Sequence, residues 1–117
     1  MARVLLDQNV PVGVRRILGA HDVHTVYQMG WAGLLNGDLL DQAAKAGIEV
    51  FVTCDQNIAF QQNLGGGQVA VVVLATNRWA VIQGQPGTVE NAVANAKPGA
   101  CSVVRFGRSR RRRLMKP

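Results

Sequence analysis

The tripeptide Asp-Gln-Asn occurs twice in this 117-residue chain, at 7–9 and at 55–57, each time directly after an apolar run. The runs Arg3 to Leu6 and Glu49 to Thr53 read as strands, so Asp7 and Asp55 both fall at strand carboxyl ends. If the two strands are neighbours, about 5 Å separates their backbones, close enough for both carboxylates to hold one cation. Without a cation or proton between them, two such groups repel. The ion that suits the pair is magnesium or manganese, which takes oxygen ligands and keeps waters for substrate phosphates. A cation held there activates water and offsets charge on a scissile phosphate, so the chemistry suggested is phosphodiester hydrolysis without a Ser or Cys nucleophile. Two helix caps would explain the same echo, because Asx residues commonly cap helices that follow strands. Asp38 is the third carboxylate of interest, and its charge also suits a helix amino end.

The other polar groups carry weaker signals. His21 and His24 are an odd number of residues apart on a candidate strand and face opposite sides, so they do not form a ligand pair. Cys54 and Cys101 lack CxxC spacing, which argues for reduced, buried thiols and against zinc or a disulfide framework. Asn77-Arg78-Trp79 sets a guanidinium beside an aromatic, a pair able to stack on unpaired bases, although burial of Trp79 against the sheet competes with that use. Gly65-Gly66-Gly67 lacks the spacing and GK[ST] ending of a phosphate loop and reads as a turn.

Net charge is +6, and the last ten residues hold six of the thirteen basic groups and none of the seven acidic ones. Residues 1–107 are therefore neutral, seven basic groups against seven acidic. Arg108, Arg110, Arg111, Arg112 and Arg113 form a candidate nucleic-acid-binding arm that contacts phosphates without reading sequence. Solubility, or contact with a protein partner, would use the same charges.

The elements that must position the acids alternate. Arg3 to Leu6 is a strand, and Pro11 fits the first turn of a helix reaching Leu18. His21 to Tyr27 alternates as a strand, Leu39 to Ala46 is helical, and Gly47 closes it. Glu49 to Thr53 is the third strand, followed by a short helix over Ile58 to Leu64; Val69 to Leu74 is a β-branched strand suited to burial on both faces. Thr88 to Ala96 reads as a helix capped by Thr88, and Cys101 to Phe106 as a last strand, at the sheet edge. Strands and helices alternating at these lengths predict an α/β fold: a mostly parallel central sheet with right-handed crossovers and helices on both faces. Ligands of such sheets gather at the strand carboxyl ends. A hydrophobic content of 48% with only 5% aromatics fits one aliphatic-cored domain over 1–107, with 108–117 as a basic tail. The apolar stretch at the amino terminus is too short for a secretory signal or a membrane span, so a cytoplasmic location without membrane association is expected.

Val4-Leu5-Leu6-Asp7-Gln8-Asn9-Val10-Pro11 resembles the LLDENLP opening of a bacterial PIN-like domain family found in toxin–antitoxin systems. His21-Asp22-Val23, Gly30 and Gly33, and Asp38-Leu39-Leu40 with Ala43 are similar to that family's GHDV, paired-glycine and D-x-x-(I/L) features. Val52-Thr53-Cys54-Asp55-Gln56-Asn57 resembles its VTxDxDF signature, and the likeness covers residues 3 to 80. The resemblance implies a small PIN-like three-layer fold and a toxin that cleaves RNA with Mg2+ or Mn2+. It implies an acidic catalytic cluster of Asp7, Asp38 and Asp55, with Asn57 as a further metal ligand. Single-stranded RNA, a cognate antitoxin and a homodimeric copy are the partners it suggests. The chain departs from the family at Gln8 and Asn57, where the pattern has carboxylates. These amides lower the charge of the site and support an alternative, a PIN-like scaffold that binds RNA or a partner without catalysis. A further alternative is a receiver-like phosphoacceptor domain, whose residue set Asp7, Asp55, Thr76 and Lys97-Pro98 imitates, except that Lys97-Pro98 precedes the last strand.

Overall fold

The computed structural model describes residues 1–60 and 67–107; Gly65, Gly66 and the basic arm from Arg108 to Arg113 lie outside the described residues. Five short strands form one sheet, β1 (Arg3–Leu6), β2 (Asp22–Thr25), β3 (Val50–Thr53), β4 (Ala70–Leu74) and β5 (Cys101–Val104). Every pairing is parallel, and the order across the sheet is β2-β1-β3-β4-β5. β3 and β4 are buried along their whole length, as β-branched runs covered on two faces must be. β5 is an edge strand and exposes Cys101, Ser102 and Val103, so Cys101 is an exposed thiol instead of the buried one expected.

Alternate residues of each strand point to opposite faces, and the core divides accordingly. Val4, Leu6, Val52, Val72 and Leu74 pack under α1 (Val14–Ile17), α3 (Trp79–Ile82) and α4 (Pro86–Ala94) through Val14, Ile82, Val89 and Val93. Leu5, Phe51, Val71 and Val73 pack on the other face under α2 (Asn36–Lys45), through Leu39, Leu40 and Ala43, and under a 3₁₀ turn over Gln56–Phe60, through Ile58. The molecule is thus a three-layer α/β fold with an all-parallel sheet. No helix among the described residues is long and apolar enough to cross a membrane.

Element boundaries depart from expectation where turns take over. α1 starts at Val14, not Pro11, because residues 8–13 are spent on turns that carry the chain off the sheet, with Val10 N–H donating to Asp7 O and Val14 N–H to Pro11 O. α2 begins at Asn36, and Gly47 ends it with a φ of 80°, a conformation that favours glycine. α4 starts from Gln85 with Pro86 in its first turn, so Thr88 lies inside the helix and is not its cap. α3 was not anticipated; a single turn leaves no periodicity to read.

Candidate active site at the β1–β3 crevice

β1 and β3 are hydrogen-bonded neighbours in register Leu6 to Val52, and Asp7 extends the ladder by donating its N–H to Val52 O at 2.9 Å. Beyond this point the two chains diverge. The segment leaving β1 carries Val10 and Val14 into the core under α1, whereas the segment leaving β3 carries Ile58 into the opposite core under α2. Connections that part to opposite faces open a crevice at the strand ends, the place where open parallel sheets of this strand order bind ligands. Asp7 directly follows β1 and Asp55 lies two residues beyond β3, both half-buried.

The floor of the crevice is Thr53, fully buried and the one buried polar side chain among the described residues. Its hydroxyl donates to Asp7 Oδ2 at 2.7 Å and accepts the Asp55 N–H at 3.0 Å. The Asn9 Oδ1 atom lies farther from that hydroxyl, at 3.4 Å, so the single proton goes to the carboxylate. Asn9 Oδ1 instead accepts the Cys54 N–H at 2.9 Å, tying the loop after β1 to the end of β3. The remaining oxygen of Asp7 accepts the Gln8 N–H at 2.8 Å. Asp55 Oδ1 accepts the Asn57 N–H at 3.0 Å, closing a local turn, and Asp55 Oδ2 lies 3.5 Å from Asn36 Nδ2 on the first turn of α2. A carboxylate offers about four lone-pair positions, so each acid keeps acceptor capacity after these bonds.

The expected site residues are distributed as follows. Asp7, through its carboxylate, and Asp55, through its backbone N–H, both bond the Thr53 hydroxyl. Asp38 is exposed in the first turn of α2, and it is Asn36, two residues earlier, that reaches Asp55. No three His, Cys, Asp or Glu side chains gather as metal ligands among the described residues, so Asp38 does not join the pair in a cluster. Asn57 contributes its backbone N–H to Asp55, and its side chain is exposed. Gln8 turns away, donating to Ala32 O at 3.0 Å. Thr53, Asn9 and Asn36 were not anticipated. A hydroxyl closing the run Val50-Phe51-Val52 two residues before an aspartate was a usable signal for Thr53. Asn9 could have been found from the tripeptide echo, while Asn36 depends on where α2 docks.

Cys54 sits next to this network, its Sγ 3.5 Å from Thr76 O. Burial, reinforced by the negative charge of Asp7, pushes its thiol up to about 11, so it is a neutral neighbour and not a nucleophile. His21 is engaged at the opposite end of the strands, where its Nδ1 accepts the Ala2 N–H at 2.9 Å, and His24 on β2 turns its Nε2 back to within 3.0 Å of Asp22 Oδ1. Lys97 precedes β5 and so belongs to the amino ends of the strands, across the sheet from Asp55. Trp79 does not pack on the sheet; its indole lies over Gly13, where a Cβ atom would come within 2.3–2.8 Å of three ring atoms.

Compared with family models, with curated proteins and with solved structures, this chain has no match in any of the three.

Proposed function

We propose that the β1–β3 crevice is a divalent-cation site of a metal-dependent ribonuclease, the toxin component of a toxin–antitoxin system. The observation that carries the reading is one buried hydroxyl, that of Thr53, which holds the Asp7 carboxylate and the backbone N–H of Asp55 together at the ends of β1 and β3. A structural role alone would not need two carboxylates there, since Asn or Ser caps a following helix equally well. The donor set is compatible with magnesium or manganese, which proteins often hold by one or two carboxylates while substrate phosphates and water complete the shell. Asp7 and Asp55 would hold the ion, and it would supply activation of water and charge stabilisation at a phosphodiester. The chain's own contribution is positioning: Thr53 holds Asp7 through a charge-assisted bond, Asn9 holds the end of β3, and Asn57 N–H holds the Asp55 carboxylate. Single-stranded RNA and a cognate antitoxin in the bacterial cytoplasm are the partners of this reading.

One observation favours the non-catalytic scaffold as second reading. Each acid already closes its own turn, Asp7 with Gln8 N–H and Asp55 with Asn57 N–H, as pure caps would. Calorimetric titration of manganese into the wild type, Asp7→Asn and Asp55→Asn, together with magnesium-dependent cleavage of single-stranded RNA, decides between them. Loss of binding heat and of cleavage in both variants is expected. A wild type that takes up no manganese, or variants that cleave unchanged, would leave only the scaffold.

A further inference from the structure

We infer that the surface running from Trp79 across Val12 and Arg15 to Tyr27 is a track for single-stranded nucleic acid that ends beside Asp7. Two grooves make up this surface. One, of about 780 Å³, is formed by the Pro11–Gly13 turn, Arg15, Arg16 and Trp79. The other, of about 450 Å³, runs between Val12, Arg15 and Tyr27 and reaches Asp7. Val12 and Arg15 line both, so the two are continuous.

The side chains on this track are placed for contact with something outside the chain. Val12 is 86% exposed and Tyr27 80%, unusual for groups of this size, and Trp79 keeps 37% of its surface open. Isolated exposed apolar residues are ordinary, but these line one pair of joined grooves. Arg15 and Arg16 are exposed, and among the described residues the ion pairs involve Arg3, His24 and Asp22 only. The Trp79 groove contains no carboxylate, and Asp7 is the single acid of the other. Gly13 lets the indole pack against the turn before α1, since any side chain there would collide with the ring. Trp79 is therefore held in place before a ligand arrives, which lowers the entropy lost on binding.

Aromatic faces interleaved with guanidinium groups are the chemistry of unpaired bases and their phosphates. The rings stack on any base, and the arginines neutralise the backbone. An acidic peptide would use the arginines but has no need of two flat rings. The inference deepens the proposed function by locating the substrate strand, and rests on that reading only for what happens at Asp7; binding along the track requires no cation.

The test is tryptophan fluorescence of the full chain, in chelator at low salt, titrated with an oligouridylate of about eight nucleotides, within the ~4–16 that small single-strand-binding folds cover. Trp31→Phe leaves Trp79 as the reporter and should retain the quench, whereas Trp79→Phe should lose most of it. Tyr27→Ala, at an exposed position where folding is not at risk, should weaken binding by about 5- to 150-fold, the effect of losing one base–aromatic stack. Arg15→Gln should reduce the slope of log affinity against log salt by about 0.7. Wild-type affinity in both Tyr27→Ala and Arg15→Gln would overturn the inference and assign binding elsewhere. So would an equal quench by a polyglutamate peptide, which would make the groove a site for acidic protein segments. A chain that binds oligouridylate through Tyr27, yet takes up no manganese and cleaves no RNA, would sink the catalytic reading and sustain this one.

Discussion

Thr53→Val isolates the hydroxyl on which the crevice depends, because it keeps shape and volume while deleting one donor and one acceptor. Thr53 is fully buried, and its hydroxyl bonds Asp7 Oδ2 at 2.7 Å and the Asp55 N–H at 3.0 Å. A bond to a charged group contributes about 1.5–3 kcal/mol, and the lower figure applies here because half-buried Asp7 can recover water. An orphaned Asp55 N–H costs about 1 kcal/mol more, and the extra buried methyl of Val returns about 0.8 kcal/mol. The net expectation is a loss of about 1.5–2.5 kcal/mol, or about 5–10 °C in Tm for a chain of this size. Urea unfolding in chelator measures it, and a cycle with Asp7→Ala separates the bond from general damage at a core position. If the hydroxyl acts through Asp7, the two substitutions should couple by about 1 kcal/mol or more. Additivity within about 0.5 kcal/mol would refute the bridge. Thr53→Ser keeps the hydroxyl and should restore the coupling, even though it loses a methyl.

Further expectations concern neighbouring groups. Gly13→Ala should drive the Trp79 indole off its seat, costing about 1–3 kcal/mol and shifting tryptophan emission to the red; an unchanged spectrum would contradict the packing. Asp7→Asn should lower the Cys54 pKa from about 11, because it removes a negative charge that opposes the thiolate, but burial, the larger cause, should keep it above the ordinary thiol value. The pH dependence of thiol alkylation in a Cys101→Ser background would report this. Asp22 is held below 3.8, chiefly by its hydrogen bond with His24, so its contribution to stability is present above 3.8 and is lost as pH falls through the lowered value. His24→Asn should move the Asp22 carboxyl titration, followed by NMR, back up toward 3.8.

The sheet was legible because β-branched runs such as Val50 to Thr53 and Ala70 to Leu74 carry their own propensity and end in turn residues. The order of the strands was not. The edge position of β5 was read correctly, but nothing in a local window states that β3 lies beside β1; that is decided by how the helices divide their apolar faces between the two sides. Helix starts were misread where a turn competed. Pro11 fits a first turn, but the chain had first to bring Val10 and Val14 over the sheet, and Gly13 had to pass beneath Trp79. The two acids were visible as residues ending strands, and the hydroxyl between them was overlooked because Thr53 reads first as a β-branched strand residue.

The repeated Asp-Gln-Asn also hid an asymmetry that bears on the charge of the site. Identical tripeptides suggest identical roles, yet Asn9 reaches across to the Cys54 N–H, while Asn57 closes the turn of its own Asp55 through its backbone. The two segments diverge to opposite faces, and although both asparagines are exposed, only the side chain of Asn9 reaches across to β3. A carboxylate at position 57 would therefore start outside the crevice, and one at position 36, whose amide already approaches Asp55, would start within it. Under the proposed cation reading, two aspartates balance one divalent ion, and an arriving phosphate meets a neutral centre. A third acid at 36 would hold the ion more tightly but leave a net negative charge facing the phosphate, with repulsion of about 4 kcal/mol at 4 Å for an effective dielectric of 20. Asn36→Asp should thus raise manganese affinity and lower the affinity for RNA together, whereas Asn57→Asp should change either much less. If Asn57→Asp tightened manganese binding more than Asn36→Asp, the place of Asn36 beside the cation site would be refuted.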